Sequence, residues 1–209
     1  HILFLQEKGY VDEVRFTKGV ARHTSNFTPQ ANEFYPATGV DDITSNSIDS
    51  VLVGNVTFNT TQPRSWDWPS FTSGSAVNYI QAVSNLSSLP TLNDDITIIA
   101  WVRYDDNAFS NNKYHPIASL TVTANDILFI NKIRSGGGSD GNKVYANLAV
   151  SGSNYQGYTS ALTSSTGWFQ IAVTLSGTTM KVYFNADVAA TTTIPSSRST
   201  STPVFAVGK

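Results

Sequence analysis

The amino-acid sequence predicts an all-β protein, an antiparallel β-sandwich. Apolar and polar side chains alternate over short runs, which is the pattern of strands that bury one face. Turn-forming residues separate those runs at short intervals, as is typical of sandwiches and barrels. The chain of 209 residues, with 40% hydrophobic content, is long and apolar enough to build one sizeable core.

The clearest strand pattern lies in the segment Ile96–Tyr104. Its even-numbered residues are all apolar, and Ile99 and Trp101 make the opposite face apolar too, so we expect this strand in the middle of a sheet. Trp101 and Trp168 lie within strand motifs and are expected in the core. The residues 176–178, Ser-Gly-Thr, predict a tight hairpin. The other predicted strands are residues 10–16, 51–58, 77–82, 117–123, 127–133, 144–150, 169–175, 180–185, 189–194 and 204–207.

Composition excludes several classes of protein. Charged residues make up 13% of the chain and the formal net charge is −2, so no basic field is present to attract nucleic acid. The chain has no cysteine, which removes disulfides, thiol nucleophiles and cysteine-based zinc sites. No apolar run approaches the roughly 20 residues of a membrane helix, so we expect no membrane insertion.

Three parts of the sequence resemble one known family. Residues 95–103 read DITIIAWVR, residues 167–174 read GWFQIAVT with MKVYFN at 180–185, and residues 9–24 read GYVDEVRFTKGVARHT. They resemble strands of the laminin G-like or concanavalin A-like lectin/glucanase sandwich, in its bacteriophage and bacterial surface variety. The resemblance implies a jelly roll of the concanavalin A type. The segment at 9–24 is the most specific of the three and resembles phage tail, fibre and decoration proteins.

The position of the segment at 9–24 differs from the family pattern, in which it is the closing strand at the C-terminus. Three explanations remain open. The sandwich is circularly permuted, the chain is a window from a tandem array, or the segment completes the sandwich of a neighbouring subunit. Pairing of residues 10–16 with Val204–Val207 of the same or of another chain would separate them. The proposed assembly strand consists of Tyr10, Val11, Asp12, Glu13, Val14, Arg15 and Phe16.

The same comparison divides the chain into three parts. Residues 1–30 are expected to hold the closing strand of a laminin G-like sandwich, of its own or of a neighbouring subunit. Residues 31–50 are polar and contain Pro36, which predicts a linker. Residues 51–209 are expected to form the laminin G-like β-sandwich itself.

Catalytic constellations are absent from the sequence, so we predict that the protein is not an enzyme. Glycoside hydrolases need a facing pair of carboxyl groups, and enzymes of this fold carry Glu-x-Asp-x-x-Glu, which has no match here. The three glutamates are Glu7, Glu13 and Glu33, all near the N-terminus. The internal histidines are His23 and His115, and we expect neither of them to act in a Ser/His/Asp triad.

Aromatic residues beside amides predict contact with a glycan. Residues 64–71 and 154–158 are the two densest aromatic segments, and we interpret both as loops. A flat ring next to Asn, Asp or Arg suits a sugar face and its hydroxyls. The other interpretation is that the two tryptophans pack under the edge of the sandwich. The candidate glycan contacts are Trp66, Trp68, Tyr155 and Tyr158.

Calcium is the one cofactor that the sequence leaves open. Hard oxygen ligands stand in predicted loops, and laminin G-like modules often hold calcium at the rim of the sandwich. The same residue types are also ordinary turn formers. The candidate ligands are Asp94, Asp95, Asp105, Asp106 and Asp140.

Together these features predict a non-enzymatic, virion-type structural or adhesive module, such as a phage fibre, tail or capsid decoration protein. We expect it outside the cell or on the virion surface, assembled with itself as a homo-oligomer or array or with related virion subunits, with surface glycan as a further partner. A bacterial surface adhesin or carbohydrate-binding module is the alternative function. A glycoside hydrolase of the same fold is the second alternative.

Overall fold

The structure is a computed structural model that describes residues 2–4, 9–18, 50–53, 56–59, 68–71, 79–83, 86–104, 114–133, 138–163 and 167–208. These residues form two antiparallel sheets and a two-stranded ribbon, which confirms the predicted all-β sandwich. For the strands up to residue 71 the description is of backbone pairing. The strands are β1 (Ile2–Phe4), β2 (Gly9–Lys18), β3 (Ser50–Val53), β4 (Val56–Asn59), β5 (Trp68–Phe71), β6 (Tyr79–Ala82), β7 (Ile96–Tyr104), β8 (His115–Thr123), β9 (Asp126–Lys132), β10 (Lys143–Val150), β11 (Ser153–Ala161), β12 (Phe169–Ser176), β13 (Thr179–Phe184), β14 (Asp187–Thr193) and β15 (Val204–Val207).

One sheet has six strands in the order β1-β2-β7-β12-β13-β14. β7 lies between β2 and β12, which confirms its predicted place in the middle of a sheet. Its residues alternate between buried and partly exposed along the whole strand, because successive side chains point to opposite faces. β12 and β13 form the predicted tight hairpin, in which Ser176 pairs with Thr179 and Gly177 has a φ of 51°.

The other sheet has seven strands in the order β11-β10-β9-β8-β15-β6-β3. β8 to β11 follow one another along the chain as antiparallel neighbours. β15 joins them from the end of the chain and pairs with both β8 and β6. The ribbon of β4 and β5 is separate from both sheets in its pairing.

The apolar core lies between the inward faces of the two sheets. β10 directs Val144, Ala146 and Leu148 into it, and β12 directs Ile171 and Val173 into it from the opposite sheet. Removing this apolar area from water is the main force that holds the sheets together.

The two sheets approach most closely where β11 faces β14. Gly157 lies in β11, and a Cβ atom placed there would be 2.9 Å from Val182 Cγ2 and 3.2 Å from Ala190 Cβ. Thr192 Oγ1 donates a hydrogen bond of 2.8 Å to the carbonyl of Gln156 across the same gap. This edge therefore requires glycine for its packing.

A cationic side chain is buried at each end of β7. Near the start of β7, Arg198 is 6% exposed. Its guanidinium group donates to backbone carbonyls, at 2.6 Å to Leu92, 2.6 Å to Gly177, 2.7 Å to Pro195 and 3.4 Å to Asn93. These bonds join the segment before β7, the β12–β13 turn and the segment after β14.

Near the end of β7, Lys132 is fully buried, with 0% exposed surface. Its ammonium group donates to Asn142 Oδ1 at 2.9 Å and to the Ile133 carbonyl at 3.4 Å, and it lies 5.7 Å from the centre of the Tyr104 ring. Burial lowers the pKa of Lys132 to about 8. Burial also raises the pKa of Tyr104, whose hydroxyl donates to the carbonyl of His115 at 3.4 Å.

Five sequence-based expectations differ from the structure or lie outside it. The single strand predicted over residues 51–58 is instead two strands, β3 and β4, which join different sheets. The loop predicted at 154–158 is part of β11, and the last four residues of the loop predicted at 64–71 form β5. Trp101 was expected in the core, but it lies on the outward face of β7 and is partly exposed, because the even-numbered residues of β7 point inward. The linker predicted for residues 31–50 lies outside the described residues, apart from Ser50, which begins β3.

Candidate functional site

The candidate site is the outward face of strands β8 to β11, here called the polar face. Strand register places its side chains in three rows that cross the strands. Neighbouring strands are about 4.8 Å apart, so a row of four residues spans about 14 Å. The first row is Pro116, Asn131, Tyr145 and Tyr158; the second is Ser119, Phe129, Asn147 and Gln156; the third is Thr121, Ile127, Ala149 and Asn154.

The rows alternate aromatic and amide side chains across the middle of the sheet. Tyr145 stands opposite Asn131 and Asn147 stands opposite Phe129, so each aromatic ring lies diagonal to the other ring and beside an amide. Asn147, 2% exposed, and Tyr145, 9% exposed, lie between the side chains of β9 and β11. Gln156 on β11 is exposed. The face therefore has a buried centre and an accessible border.

Aromatic contacts fix the rings of the first two rows. Tyr145 and Tyr158 stack with their ring centres 5.6 Å apart and their planes 13° from parallel. Phe129 meets Tyr145 edge to face at 5.5 Å and 90°. The ammonium group of Lys143 lies 5.9 Å from the centre of the Tyr158 ring and forms an ion pair of 2.8 Å with Asp140. Such geometries favour rigid aromatic surfaces.

The amide side chains are held by hydrogen bonds along and between strands. Asn147 Nδ2 donates to Asn154 Oδ1 at 2.9 Å, and the Tyr158 hydroxyl donates to Gln156 Oε1 at 2.6 Å. Within the part of the chain that the structure describes, the buried oxygens Asn131 Oδ1 and Asn147 Oδ1 have no hydrogen-bond partner. Both are hydrogen-bond acceptors that are closed off from solvent.

The two stacked tyrosines keep their hydroxyl protons. Burial raises the pKa of Tyr145 above its ordinary value, and a hydrogen bond with the Asn131 side chain only partly opposes the rise. Burial, with the nearby charge of Asp140, also raises the pKa of Tyr158, and the ammonium of Lys143 opposes it. Both phenols are therefore neutral at physiological pH.

The side chains of the polar face can bind a ligand by ring stacking and by hydrogen bonds. Its three rows contain aromatic rings, amides and hydroxyls, and no Asp or Glu stands among these described residues. A polar, uncharged surface with flat rings matches a hydroxyl-rich ligand that has apolar ring faces.

The candidate glycan contacts predicted from sequence fall in different places. Tyr158 lies on the polar face, in the first row. Tyr155 lies on the other face of β11, where it is partly buried and packs against the core, so the structure does not bring it together with Tyr158. Trp68 begins β5, for which only the backbone is described, and Trp66 lies outside the described residues. The two tryptophans therefore stay untested.

Sequence reasoning missed most of the polar face. Tyr145 and Asn147 alternate with the apolar residues of β10, so their outward direction was visible in the sequence. Their meeting with Phe129 and Asn131 depends on the register between β9 and β10, which the sequence of one strand does not contain.

The candidate calcium ligands do not form a cluster in the described residues. Asp94 Oδ2 accepts hydrogen bonds from Thr91 within a turn, and Asp95 accepts from Ser176 Oγ and from the Gly177 amide. Asp140 is paired with Lys143. The remaining two candidates, Asp105 and Asp106, lie outside the described residues. No group of three or more potential metal ligands occurs among the residues that are described.

The N-terminal assembly strand is part of β2. β2 pairs antiparallel with β7 of the same chain from Gly9 opposite Tyr104 to Lys18 opposite Ile96, with an irregularity between Asp12 and Val14. β15 does not contact it as a neighbour in the sheet, since β15 pairs with β6 and β8. We expected pairing of this strand with β15 to distinguish the three explanations for its position in the chain. The strand pairs with β7 of the same chain instead.

Comparison with known proteins identifies the family to which this fold belongs. A laminin G family model, described as the concanavalin A-like lectin/glucanases superfamily, matches residues 73–209. No curated protein matches the chain. Among the described residues, no helix has the length and hydrophobicity needed to cross a membrane.

Solved structures share the same sandwich at low sequence identity. HCR/D-Sa-GBL1/C is 17% identical with a TM-score of 0.59, over 80% of this chain and 40% of its own. Two mutants of HCR/D are each 14% identical and have TM-scores of 0.56 and 0.52, over 81% of this chain and 41% and 40% of their own. The chain thus spans about two fifths of the length of these proteins. At these identities the likeness shows the fold alone.

Proposed function

Because the chain belongs to the concanavalin A-like lectin/glucanases superfamily, we propose that it is a carbohydrate-binding module without enzymatic activity. The observation that carries the proposal is the polar face, where the stacked rings of Tyr145 and Tyr158 lie beside the amides of Asn131, Asn147 and Gln156. Flat aromatic surfaces accept the apolar face of a sugar ring, and the neighbouring amides bond its hydroxyls.

The chemistry of the polar face favours binding over hydrolysis. Cleavage of a glycosidic bond requires two carboxyl groups about 5–9 Å apart on either side of it. The described residues of the three rows supply amides and hydroxyls at these positions instead. A bound saccharide would therefore meet hydrogen-bonding groups and no acid and base pair from these rows.

The first test replaces the accessible stacking ring. We expect Tyr158→Ala to weaken the binding of an oligosaccharide at least tenfold, because it removes the ring next to Tyr145 and the hydroxyl that bonds Gln156. Binding is measured on a glycan array and then by calorimetry with the strongest ligand found. Tyr183→Ala is the matched control, because Tyr183 is a partly exposed tyrosine of β13 in the other sheet.

Two outcomes would contradict the proposal. If the intact protein binds no saccharide on the array, the polar face is not a carbohydrate site. If it releases shorter sugars from a bound oligosaccharide, the glycoside hydrolase alternative replaces the binding module.

The finer proposal is a virion-type structural or adhesive module, located outside the cell or on the virion surface and repeated in an array. It is supported by the resemblance of residues 9–24 to phage tail, fibre and decoration proteins. Repetition would make a weak site useful, because linked copies raise the effective concentration of the second binding event. A bacterial surface adhesin is the alternative and would bind the same ligands as a monomer.

We propose that such an array forms when β2 of one copy pairs with β7 of the next. The pairing of β2 with β7 uses backbone hydrogen bonds over the whole of β2, so an identical strand from a neighbour could supply them equally well. Residues 19–49 connect β2 to β3, and a segment of that length can span up to about 100 Å. An exchange that passes head to tail from copy to copy propagates when its rotation does not close into a ring.

Cysteine pairs distinguish exchange from closure within one chain. Thr17 stands opposite Thr97, and the natural chain has no cysteine, so Thr17→Cys with Thr97→Cys introduces one defined bridge. Exchange predicts a ladder of cross-linked chains on a non-reducing gel. If only monomers with a bridge inside one chain form, even at high protein concentration, the exchange model is overturned. Either single substitution is the control.

A further inference from the structure

A lysine occupies a core position at the end of β9. Leu128, Ile130 and Lys132 alternate along the strand and point to the same inward face, and Lys132 has 0% exposed surface. Lysine is almost never fully buried, because removing its charge from water is costly, whereas an apolar side chain gains free energy there. Stability alone does not account for a lysine at this position. What lysine adds to an apolar side chain of similar length is a nucleophilic amine.

The side-chain amide of Asn142 lies against the Lys132 amine. β9 and β10 pair with Lys132 opposite Val144, so Asn142, two residues before Val144, is the diagonal neighbour of Lys132. The distance from Lys132 Nζ to Asn142 Oδ1 is 2.9 Å. A C=O bond is about 1.23 Å long, so Nζ is no more than about 4.1 Å from the amide carbon Cγ. This distance is a small side-chain rotation away from the roughly 3–3.5 Å at which two atoms are placed to react.

Backbone hydrogen bonds hold the two residues in this arrangement. Asn142 has a φ of 62°, and its carbonyl accepts a hydrogen bond of 2.9 Å from the amide of Leu162. The next residue, Lys143, accepts one of 2.8 Å from the amide of Ile133, the residue after Lys132. The amine and the amide therefore face each other from fixed positions. Asn142 is partly exposed, so a small molecule released from its side chain has a route to solvent.

Two features of the surroundings favour a reaction between these groups. Burial lowers the pKa of Lys132 to about 8, so more of its amine is uncharged and nucleophilic near neutral pH than in an ordinary lysine. His115 stands directly opposite Lys132 in the β8–β9 pairing, and its ring lies 5.6 Å from the Tyr104 ring that the lysine amine also contacts. An imidazole, which exchanges protons near neutral pH, is therefore beside the pair.

We infer that Lys132 and Asn142 join in an intramolecular amide bond that links the end of β9 to the start of β10. The uncharged amine attacks Cγ, so that an Nζ–Cγ bond forms and the Cγ–Nδ2 bond breaks. One proton of the amine passes to Nδ2, which leaves as ammonia, so no oxidant or other reactant is needed. The product is a neutral amide and no longer places a charge in the core. The bond is independent of carbohydrate binding, although it holds together two strands that carry the polar face.

Mass spectrometry tests the bond directly. After incubation of the intact protein at pH 9, we expect a species that is lighter by one ammonia, about 17 Da. A tryptic digest should contain residues 114–134 joined to residues 135–143, because Lys132 and Asn142 lie in these two peptides. The bond should form at least tenfold faster at pH 9 than at pH 6, since the uncharged amine increases as the pH passes the pKa of about 8. If no joined peptides form, the inference is overturned.

Bond formation should also change how stability depends on pH. Protein kept at pH 6 retains the Lys132 ammonium group, and its free energy of unfolding should vary with pH as that group titrates. Fully converted protein has a neutral amide instead, so this part of the pH dependence should be lost. A pH dependence that is unchanged after complete conversion would show that Lys132 is not the residue that has reacted.

Variants assign the loss of ammonia to this pair, since asparagine can also lose ammonia by closing on its own backbone. Lys132→Met and Asn142→Gly should both abolish the lighter species, and glycine accepts the positive φ at position 142. Lys143→Met is the matched control, because Lys143 is a neighbouring lysine that pairs with Asp140 at 2.8 Å, and the bond should form in it as in the intact protein. A lighter species that persists in Lys132→Met would overturn the inference. If a variant fails to fold, the joined peptides of the intact protein still decide the question.

Discussion

The Arg198 end of the sandwich and the polar face both contain buried polar groups, but the two regions differ in how those groups are hydrogen-bonded. Arg198 donates four hydrogen bonds to backbone carbonyls and also lies near the charges of Asp94 and Asp95. On the polar face, the oxygens of Asn131 and Asn147 have no donor among the described residues. The contrast distinguishes a buried polar group that is bonded within the fold from buried oxygens that have no donor among the described residues.

Lys132 is intermediate between these two regions. Its ammonium group donates to Asn142 Oδ1 and to the Ile133 carbonyl, and it makes a cation–π contact with Tyr104. Full burial nevertheless lowers its pKa to about 8, so these partners do not replace all of its hydration. An arginine in such a place would stay charged, whereas a lysine can lose its proton.

The largest effect is expected at Arg198. Arg198→Met should lower the free energy of unfolding by about 3–5 kcal/mol, because it removes the donor to the buried carbonyl of Leu92 and to the partly buried carbonyls of Gly177 and Pro195. Urea denaturation measures the change, and Lys181→Met on β13 is a control expected to stay within about 0.5 kcal/mol. If Arg198→Met lowers the free energy of unfolding by less than about 1 kcal/mol, the hydrogen bonds of Arg198 do not stabilise the fold as proposed.

The next effect concerns Lys132 and pH. The folded chain binds the Lys132 proton with a pKa of about 8, below the ordinary 10.5, so the unfolded chain retains more protons between these values. The free energy of unfolding should therefore rise with pH from about 8 upward, by on the order of 1–3 kcal/mol. Urea denaturation between pH 7 and pH 9.5 measures this slope. In this range most tyrosines of the unfolded chain keep their protons, because their ordinary pKa is about 10.

Lys132→Met provides the control for that slope. It should remove the pH dependence and leave stability at pH 7 equal or higher, because no buried ammonium group remains. A variant that keeps the same slope would assign the pH dependence to groups other than Lys132.

An effect of similar size is expected at Gly157, where the polar face depends on packing between the sheets. Gly157→Ala places a Cβ atom 2.9 Å from Val182 Cγ2 and should lower the free energy of unfolding by about 1–3 kcal/mol. It should also weaken saccharide binding, since β11 carries Gln156 and Tyr158. Ser160→Ala in the same strand is the control. Unchanged stability would mean that β11 moves outward at no cost in free energy. Unchanged saccharide binding would mean that the polar face does not depend on the packing at Gly157.

Local sequence patterns predicted the strands that bury one apolar face. β7 and β15 begin and end where the alternation of side chains indicates, and the β12–β13 hairpin follows from its glycine turn. β11 was missed because its outward residues are polar and Gly157 interrupts the inward apolar positions. The turn at Ser151 and Gly152, with φ values of 49° and 82°, was the available signal for it.

The candidate site was less predictable because it depends on register between strands. Tyr158 was identified from its neighbours in sequence, but Tyr155 was assigned to the same surface although three residues apart in a strand means opposite faces. Asn147 meets Phe129 only because β9 and β10 pair in one register out of many. Pairing energies between the two strands fix that choice, and the residues of one strand alone do not encode them.

The alternation in β10 has a consequence for how this protein could diversify. Val144, Ala146 and Leu148 hold the two sheets together, while the residues between them point to the polar face. A change at an outward position leaves the inward positions untouched, so ligand preference can drift over generations while the scaffold persists. A library that randomises only outward residues of β9 to β11 should therefore retain folded members with new specificities.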